Sequence, residues 1–260
     1  MMATVKEPIF IYRKGSKNPC AKTVTINCLG DSITNGVGSN TDPEDRLNKK
    51  GSFQPYYSHW EKDYQLTARN YGQNGSFVAA YDIRKGPQPN DSRPFVRRYA
   101  EMDSDADIVT VLGGVNDCQA GYGVPEEFGL LSDPSVKNIN TFCGALRTML
   151  EGLLKKYPHA LIVYLTPLKY GDKKAFPDVP WENADTLPQY VRAIQTICAQ
   201  SRVPVIDLYT PEQLHFCTGE GDASVCGDRL HFGWKAHAAL GEYIFRQMEA
   251  MRLIRIIDKI

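Results

Sequence analysis

A serine in the first part of the chain and an aspartate–histidine pair in the last part have the residue types needed for nucleophilic catalysis. Ser32 follows Gly30 and Asp31 at the end of an apolar run, where a serine hydroxyl is exposed for reaction. Asp228 precedes His231 by three residues, so its carboxylate can accept the imidazole Nδ1–H and leave Nε2 as a general base. The pattern is compatible with a serine nucleophile and a histidine general base. The alternatives are a capping or turn role for Ser32 and a surface loop holding Asp228 and His231.

Two segments rich in glycine and asparagine could supply hydrogen-bond donors to such a reaction. Residues 70–75 read NYGQNG, where a glycine allows a backbone N–H to approach a substrate closely. Residues 113–117 read GGVND, and the side-chain amide of Asn116 could donate to a developing oxyanion. Both segments are also typical of plain turns, in which Asn116 and Asp117 bond their own backbone.

The elements before these segments must position them, and they alternate between strands and helices. Short apolar runs that end in turn residues predict strands at 23–29, 108–112, 161–165 and 203–208. Apolar residues at helical spacing predict helices at 139–154, 187–198 and 240–251, with another helix in 53–66 and a short strand at 68–71. Continuous hydrophobicity favours strands covered on both faces, as in a parallel sheet. We therefore expect a three-layer α/β fold with its site at the carboxyl ends of the strands.

Composition and charge limit the kinds of partner. The 260 residues include 30 Lys and Arg against 30 Asp and Glu, which gives a formal net charge of zero. A neutral chain does not supply the positive field that nucleic acids or anionic lipids require, so neither is an expected partner. The apolar runs are far shorter than the roughly 20 residues that span a bilayer, so no integral membrane segment is predicted. A small-molecule substrate fits this composition best.

No repeat, low-complexity segment or linker divides the chain, which predicts one domain over residues 1–260, with 1–20 as an irregular amino-terminal extension. Seven cysteines are an odd number and thinly spread, which is not typical of a disulfide framework. With no signal peptide visible, a cytoplasmic location is expected. Secretion stays open if a leader was removed, and so does a disulfide between Cys217 and Cys226. The sequence predicts no oligomeric state.

In this order, the four motifs resemble the blocks of the SGNH hydrolase superfamily, also called the GDSL esterase/lipase family. GDSIT at 30–34 matches the nucleophile block, NYGQNG at 70–75 the glycine block, GGVND at 113–117 the asparagine block and DRLH at 228–231 the Asp/His block. Ile33 and Val115 depart from the commonest family residues but leave the reacting atoms in place. The resemblance implies a flavodoxin-like, mainly parallel sheet of roughly five strands.

The resemblance also implies a role for each matching residue. Ser32 would be the nucleophile, His231 the base and Asp228 the carboxylate that orients it. The implied oxyanion hole comprises the backbone N–H groups of Ser32 and Gly75 and the side-chain amide of Asn116, with Gly72 as the alternative to Gly75. The implied activity is that of a serine esterase that forms an acyl-enzyme and uses neither a cofactor nor a metal.

Substrate contacts are predicted for Asp31 beside the nucleophile and for Tyr122, Tyr170 and Trp181 in long loops. Loop aromatics suit sugar rings or an acyl chain. The lack of a lipid-seeking apolar segment favours short acyl esters, such as acetyl esters of carbohydrates or other small alcohols. A lysophospholipase or thioesterase of the same family, or a carbohydrate-binding relative without catalysis, is the alternative.

Other functional classes lack their motifs. The chain has no Gly-x-Ser-x-Gly elbow and neither of the usual phosphate-loop glycine patterns. His215, Cys217 and Cys226 do not have the spacing of a zinc site, so no metal is predicted. His237 falls on the apolar stripe of the last predicted helix, which indicates a structural role.

Overall fold

The computed structural model describes residues 7–16, 22–40, 53–82, 86–87, 93–120, 135, 137–171, 186–217 and 230–257. Its strands are β1 (Ile9–Tyr12), β2 (Val24–Gly30), β3 (Leu66–Gly72), β4 (Tyr81–Asp82), β5 (Gly86–Pro87), β6 (Ile108–Leu112), β7 (Leu161–Leu165), β8 (Val205–Ile206) and β9 (Ile254–Ile257). Its α-helices are α1 (Ser32–Asn35), α2 (Ser58–Asp63), α3 (Phe95–Arg98), α4 (Val115–Gln119), α5 (Phe142–Lys156), α6 (Leu187–Gln200) and α7 (Trp234–Ala250).

The central sheet has five strands in the order β3-β2-β6-β7-β8, and every neighbouring pair is parallel. Numbered along the chain, these strands have the order 2-1-3-4-5 of flavodoxin-like folds. The predicted α/β class and five-stranded parallel sheet are therefore confirmed. The strand order reverses between β2 and β6, where Gly30 is paired in register with Leu112. Open α/β sheets bind ligands beyond the carboxyl ends of the strands at such a point.

Strand β6 shows why the strands of the central sheet are continuous apolar runs in the sequence. All five of its residues are buried, and alternate side chains point to opposite faces of the sheet. Val109 and Val111 belong to a core cluster with residues of α5 and α6. Ile108 and Leu112 belong to a second cluster with residues of α7. Helices thus cover the sheet on both faces, which gives the three layers.

A capping threonine and two prolines help to set the ends of the long helices. Thr141 caps α5 by accepting the N–H of Gly144 on its hydroxyl at 3.3 Å. This helix ends just before Pro158, which cannot continue a helix. Helix α6 carries Pro188 in its first turn, where the missing N–H costs nothing. None of the helices in the described ranges is both long and apolar enough to cross a bilayer.

The expectation of a wholly irregular segment 1–20 is wrong. Residues 9–12 form β1, which pairs in parallel with β9 near the other end of the chain, with Ile9 in register with Ile254. Ile11 of β1 is fully buried in the cluster that contains α7 residues. Residues 1–6 and 17–20 lie outside the described part of the chain.

Two predicted elements are shorter than expected. The strand predicted at 203–208 is reduced to β8, because Pro204 has no N–H to donate and the carboxylate of Asp207 accepts the N–H of Tyr209 at 2.8 Å, which begins a turn. The helix predicted within 53–66 is α2, which ends where the N–H of Gln65 donates to the carbonyl of Tyr12 in β1 at 2.7 Å. The prediction of one domain over the whole chain stays a prediction.

Candidate active site

The side chains of Ser32 and His231 meet at the carboxyl end of β2. The His231 Nε2 lies 2.7 Å from the Ser32 Oγ, within hydrogen-bonding distance. Ser32 is the first residue of α1, and its fractional exposure is only 5 %. His231 lies three residues before α7, which packs against the sheet through its buried stripe. Two elements far apart in the sequence thus bring a hydroxyl to an imidazole nitrogen.

The turn that carries Ser32 is held by local hydrogen bonds. The Asp31 carboxylate accepts the N–H of Ile33 at 3.0 Å and so caps α1. The short helix ends at Gly36, whose φ of 85° is accessible to glycine at little cost. At the first helical position the N–H of Ser32 has no acceptor within the helix, so it is available to a bound oxygen.

Asn116 lies in α4, immediately beyond β6 and next to β2 at the switch point. Its Nδ2 donates to the carbonyl oxygen of Ser76 at 3.0 Å. That bond joins the asparagine motif to the residue after Gly75. A side-chain amide has two N–H groups, so one remains for another acceptor.

Gly72 and Gly75 differ in what their N–H groups do. The N–H of Gly72 donates to the Asn70 side-chain oxygen at 2.8 Å, and a Cβ there would overlap the backbone of Asn35. Gly75 is exposed with a φ of 67°, and a Cβ there would meet nothing within 4 Å. Among the described residues, its N–H has no acceptor. The geometry therefore favours Gly75 as the glycine that faces a ligand.

The family model of the GDSL-like lipase/acylhydrolase family matches residues 28–239, which include Ser32, Gly75, Asn116 and His231. The chain belongs to that family. Because the family acts on ester bonds, this GDSL-like protein is a hydrolase of ester bonds. Among curated proteins none matches it.

Solved structures resemble this GDSL-like hydrolase over most of their length. One solved structure is 27 % identical to this chain, with a TM-score of 0.68. The match covers 88 % of this chain and 97 % of the other. A protein from Lactobacillus plantarum is 22 % identical, with a TM-score of 0.64 and coverage of 88 % and 98 %. A possible lipase from Chitinophaga pinensis is 18 % identical, with a TM-score of 0.63 and coverage of 88 % and 99 %. The last two show the shared fold.

Two buried ionisable side chains, Asp31 and Arg98, lie close to Ser32. Burial raises the pKa of Asp31 to about 6, although its bond from the N–H of Ile33 and the nearby charges of His231 and Arg98 oppose the shift. Arg98, itself buried, donates from Nη2 to the carbonyl of Gly30 at 2.6 Å. The guanidinium thus ties helix α3 to the last residue of β2. Asp31 is almost fully buried as a helix cap, so its carboxylate does not fit the predicted role of a substrate contact.

His237 has the structural place that its spacing indicates. It is fully buried, and its ring lies 4.5 Å from that of Phe232 between centroids. Burial lowers its pKa to about 3. Its Nε2 lies 3.5 Å from the carbonyl of Val37, in the segment that follows the Ser32 turn. A neutral imidazole in the core therefore packs against the segment beside the site.

The other predicted site residues fall into two groups. Asp228, Tyr122 and Trp181 lie outside the described residues, as does Cys226. Tyr170 is only 3 % exposed, and its hydroxyl lies 3.6 Å from the Cys118 Sγ. Little of its ring is open to a ligand, so Tyr170 does not fit the predicted role of a substrate contact.

Sequence reasoning missed two residues that hold the site. Asp117 appeared only as a turn former, yet its carboxylate binds two backbone N–H groups in another segment. Arg98 stands in a stretch with no catalytic signal, yet its guanidinium reaches Gly30. Neither residue stands in an apolar stretch of the sequence, so no local pattern marks it as buried. Buried charges require partners, and the fold brings these partners from other segments.

A separate cleft of about 590 Å³ lies between α2 and α7 and contains neither Ser32 nor His231. Arg13, Trp60, Tyr64, Glu242 and Phe245 are among the residues that line it. The Tyr64 ring already has two partners there: it stacks on the Phe245 ring at 4.5 Å between centroids, and the Arg13 guanidinium lies over it. In the described ranges, no group of three or more His, Cys, Asp or Glu side chains is placed to hold a metal ion.

Proposed function

We propose that this GDSL-like hydrolase is a serine esterase that cleaves carboxylic esters through an acyl-enzyme on Ser32. The observation that carries the proposal is the 2.7 Å distance between the His231 Nε2 and the Ser32 Oγ. At that distance the imidazole can take the hydroxyl proton as the oxygen attacks. Asp228 is proposed, from the family motif alone, to orient His231.

The steps follow from this arrangement. Ser32 Oγ attacks the ester carbonyl while its proton passes to His231 Nε2. The tetrahedral oxyanion accepts hydrogen bonds from the N–H groups of Ser32 and Gly75 and from the Asn116 amide. His231 then protonates the departing alcohol, and the ester bond breaks. Water, deprotonated by His231, attacks the acyl-enzyme; the bond to Ser32 Oγ breaks, His231 returns the proton to that oxygen, and the acid is released.

The proposed substrates are short acyl esters of carbohydrates or other small alcohols. Two exposed aromatic side chains close to the site support this proposal. Trp234 is 37 % exposed and follows His231 by three residues. Phe53 is 39 % exposed, and its ring packs against Gly36, the residue that ends the Ser32 turn. Exposed rings beside a site suit stacking on sugar rings or other flat groups.

A fluorophosphonate that carries a reporter group tests the mechanism. We expect it to label the wild-type protein on Ser32 and not to label Ser32→Ala. We also expect Ser32→Ala to lower kcat on nitrophenyl acetate by on the order of 10⁴- to 10⁶-fold. Ser201→Ala is the matched control, because Ser201 lies between α6 and the amino end of β8, whereas Ser32 follows the carboxyl end of β2. Labelling of folded Ser32→Ala at the wild-type rate would overturn the proposal.

A series of nitrophenyl esters with acyl chains of increasing length tests the substrate. We expect kcat/KM to be greatest for acetyl and butyryl esters and to fall with longer chains. A preference for long chains would contradict the proposed substrate and favour a lysophospholipase or thioesterase. That outcome would leave the serine mechanism intact.

A further inference from the structure

Residues 76–79, which directly follow Gly75, form a buried segment without helix or strand. Val78 and Ala79 are fully buried, and the segment continues directly from the exposed Gly75. Buried backbone N–H groups outside regular structure must find acceptors elsewhere. The acceptors for this segment therefore decide its position, and with it the position of Gly75.

Asp117 supplies two of these acceptors. Its Oδ2 accepts the N–H of Val78 at 2.9 Å, and its Oδ1 accepts the N–H of Ala79 at 3.0 Å. Asp117 is itself fully buried. A carboxylate can receive two adjacent N–H groups because both of its oxygens are acceptors, whereas an asparagine amide offers one oxygen and two donors.

The neighbouring residue on the same helix binds the same segment. Asn116 donates from Nδ2 to the carbonyl of Ser76 at 3.0 Å. Arg98 also contacts this segment, because its Nη2 lies 3.4 Å from the Ser76 Oγ and 2.6 Å from the carbonyl oxygen of Gly30. These bonds join helix α4 and the end of β2 to the residue beside Gly75.

We propose that Asp117 is a positioning residue that holds residues 76–79 against α4, so that the Gly75 N–H and the Asn116 amide keep one fixed geometry toward the oxyanion. This inference rests on the proposed function, because it assumes that an oxyanion forms beside Ser32. Donors stabilise a transition state best when they are already in place, and a displacement of about 1 Å can cost on the order of 100-fold in rate.

The test compares Asp117→Asn with Asp107→Asn on nitrophenyl acetate. Asp107 is the matched control, because its carboxylate also accepts a backbone N–H, that of Thr25 at 2.9 Å, but at the opposite end of β6. We expect Asp117→Asn to lower kcat by about 10- to 100-fold with KM within about threefold of wild type. Both acylation and deacylation pass through an oxyanion, so either rate-limiting step reports the loss. Asp107→Asn should leave kcat unchanged.

A second variant keeps the proposal testable if Asp117→Asn does not fold. Asp117→Glu retains the charge and both oxygens but moves them by one methylene, so a positioning role still predicts a lower kcat. The proposal is overturned if a folded Asp117 variant has the kcat of Asp107→Asn, or if only KM changes. Phosphonate labelling of Ser32 is measured in parallel. Absence of labelling in the wild-type protein would instead count against the serine mechanism.

Discussion

The side-chain amide of Asn116 donates a hydrogen bond to the carbonyl oxygen of Ser76 at 3.0 Å. This bond uses one of the two N–H groups of the amide and fixes the plane of the other. It also attaches the residue after Gly75 to helix α4. The two proposed donors, Gly75 after β3 and Asn116 after β6, are therefore attached to each other.

Replacement of Asn116 by alanine removes a proposed donor and the bond to Ser76. We expect kcat to fall by on the order of 100- to 1000-fold, because loss of one oxyanion donor typically has that effect. Steady-state kinetics on nitrophenyl acetate measures it. Asn140→Ala, at an exposed turn before α5, is the control and should retain the wild-type kcat. An Asn116→Ala protein with unchanged kcat would remove Asn116 from the mechanism.

Alanine at Gly75 should mainly lower kcat, whereas alanine at Gly72 should mainly lower the free energy of unfolding. At Gly75 a Cβ has free space but a φ of 67°, so Gly75→Ala should cost about 1–2 kcal/mol and shift the N–H. We expect a clear loss of kcat with a modest loss of stability. At Gly72 a Cβ would overlap the backbone of Asn35, so the free energy of unfolding should fall more.

Urea unfolding and nitrophenyl acetate kinetics, measured on both glycine variants, separate these effects. If Gly72→Ala stays stable and loses activity while Gly75→Ala keeps full activity, Gly72 becomes the donor. That result would reverse the proposal that the Gly75 N–H is the oxyanion donor.

The buried imidazole of His237 should make the protein less stable in acid. Burial lowers its pKa from 6.5 to about 3, so below pH 6.5 the unfolded chain binds a proton that the folded protein does not. The contribution of His237 is thus complete above pH 6.5 and is lost as the pH falls toward 3. Between these limits the free energy of unfolding should fall by about 1.4 kcal/mol for each pH unit of acidification.

Urea unfolding of wild type and His237→Gln between pH 4 and pH 7 measures this contribution. We expect the difference between their free energies of unfolding to shrink as the pH falls. His159→Gln, at an exposed position, should give a curve parallel to wild type. A parallel curve for His237→Gln would show that His237 does not stay neutral in the folded protein.

Loss of the buried guanidinium of Arg98 should destabilise the protein. Arg98→Met leaves the carbonyl of Gly30 without that donor and Asp31 without a nearby positive charge. We expect the free energy of unfolding to fall by about 3–5 kcal/mol, as when one partner of a buried charged group is removed. Arg97→Met, at the adjacent and less buried position, is the control. Equal losses in both variants would contradict the role given to Arg98.

The sequence contained enough to predict the sheet and the meeting of Ser32 with a histidine. Strand β6 could be predicted because both of its faces are buried and its residues are uniformly apolar. The pairing of β1 with β9 could not, because a parallel pair between distant segments leaves no local turn signal. The burial of Tyr170 could not either, since an aromatic residue after a strand fits a core and a ligand pocket equally well. The contacts of Asp117 depend on a segment that has no periodic pattern.

The parallel pairing of β1 with β9 has a consequence for the way the protein is made. On the ribosome, β1 emerges long before β9, so it cannot pair until the segment that forms β9 has been synthesised. The five-stranded sheet can form before that moment, because its last strand, β8, ends well before β9. The pairing of β1 with β9 would then follow the formation of the central sheet. Loss of either strand would leave the apolar surface around Ile11 and Ile254 uncovered, and so open to chaperones and proteases.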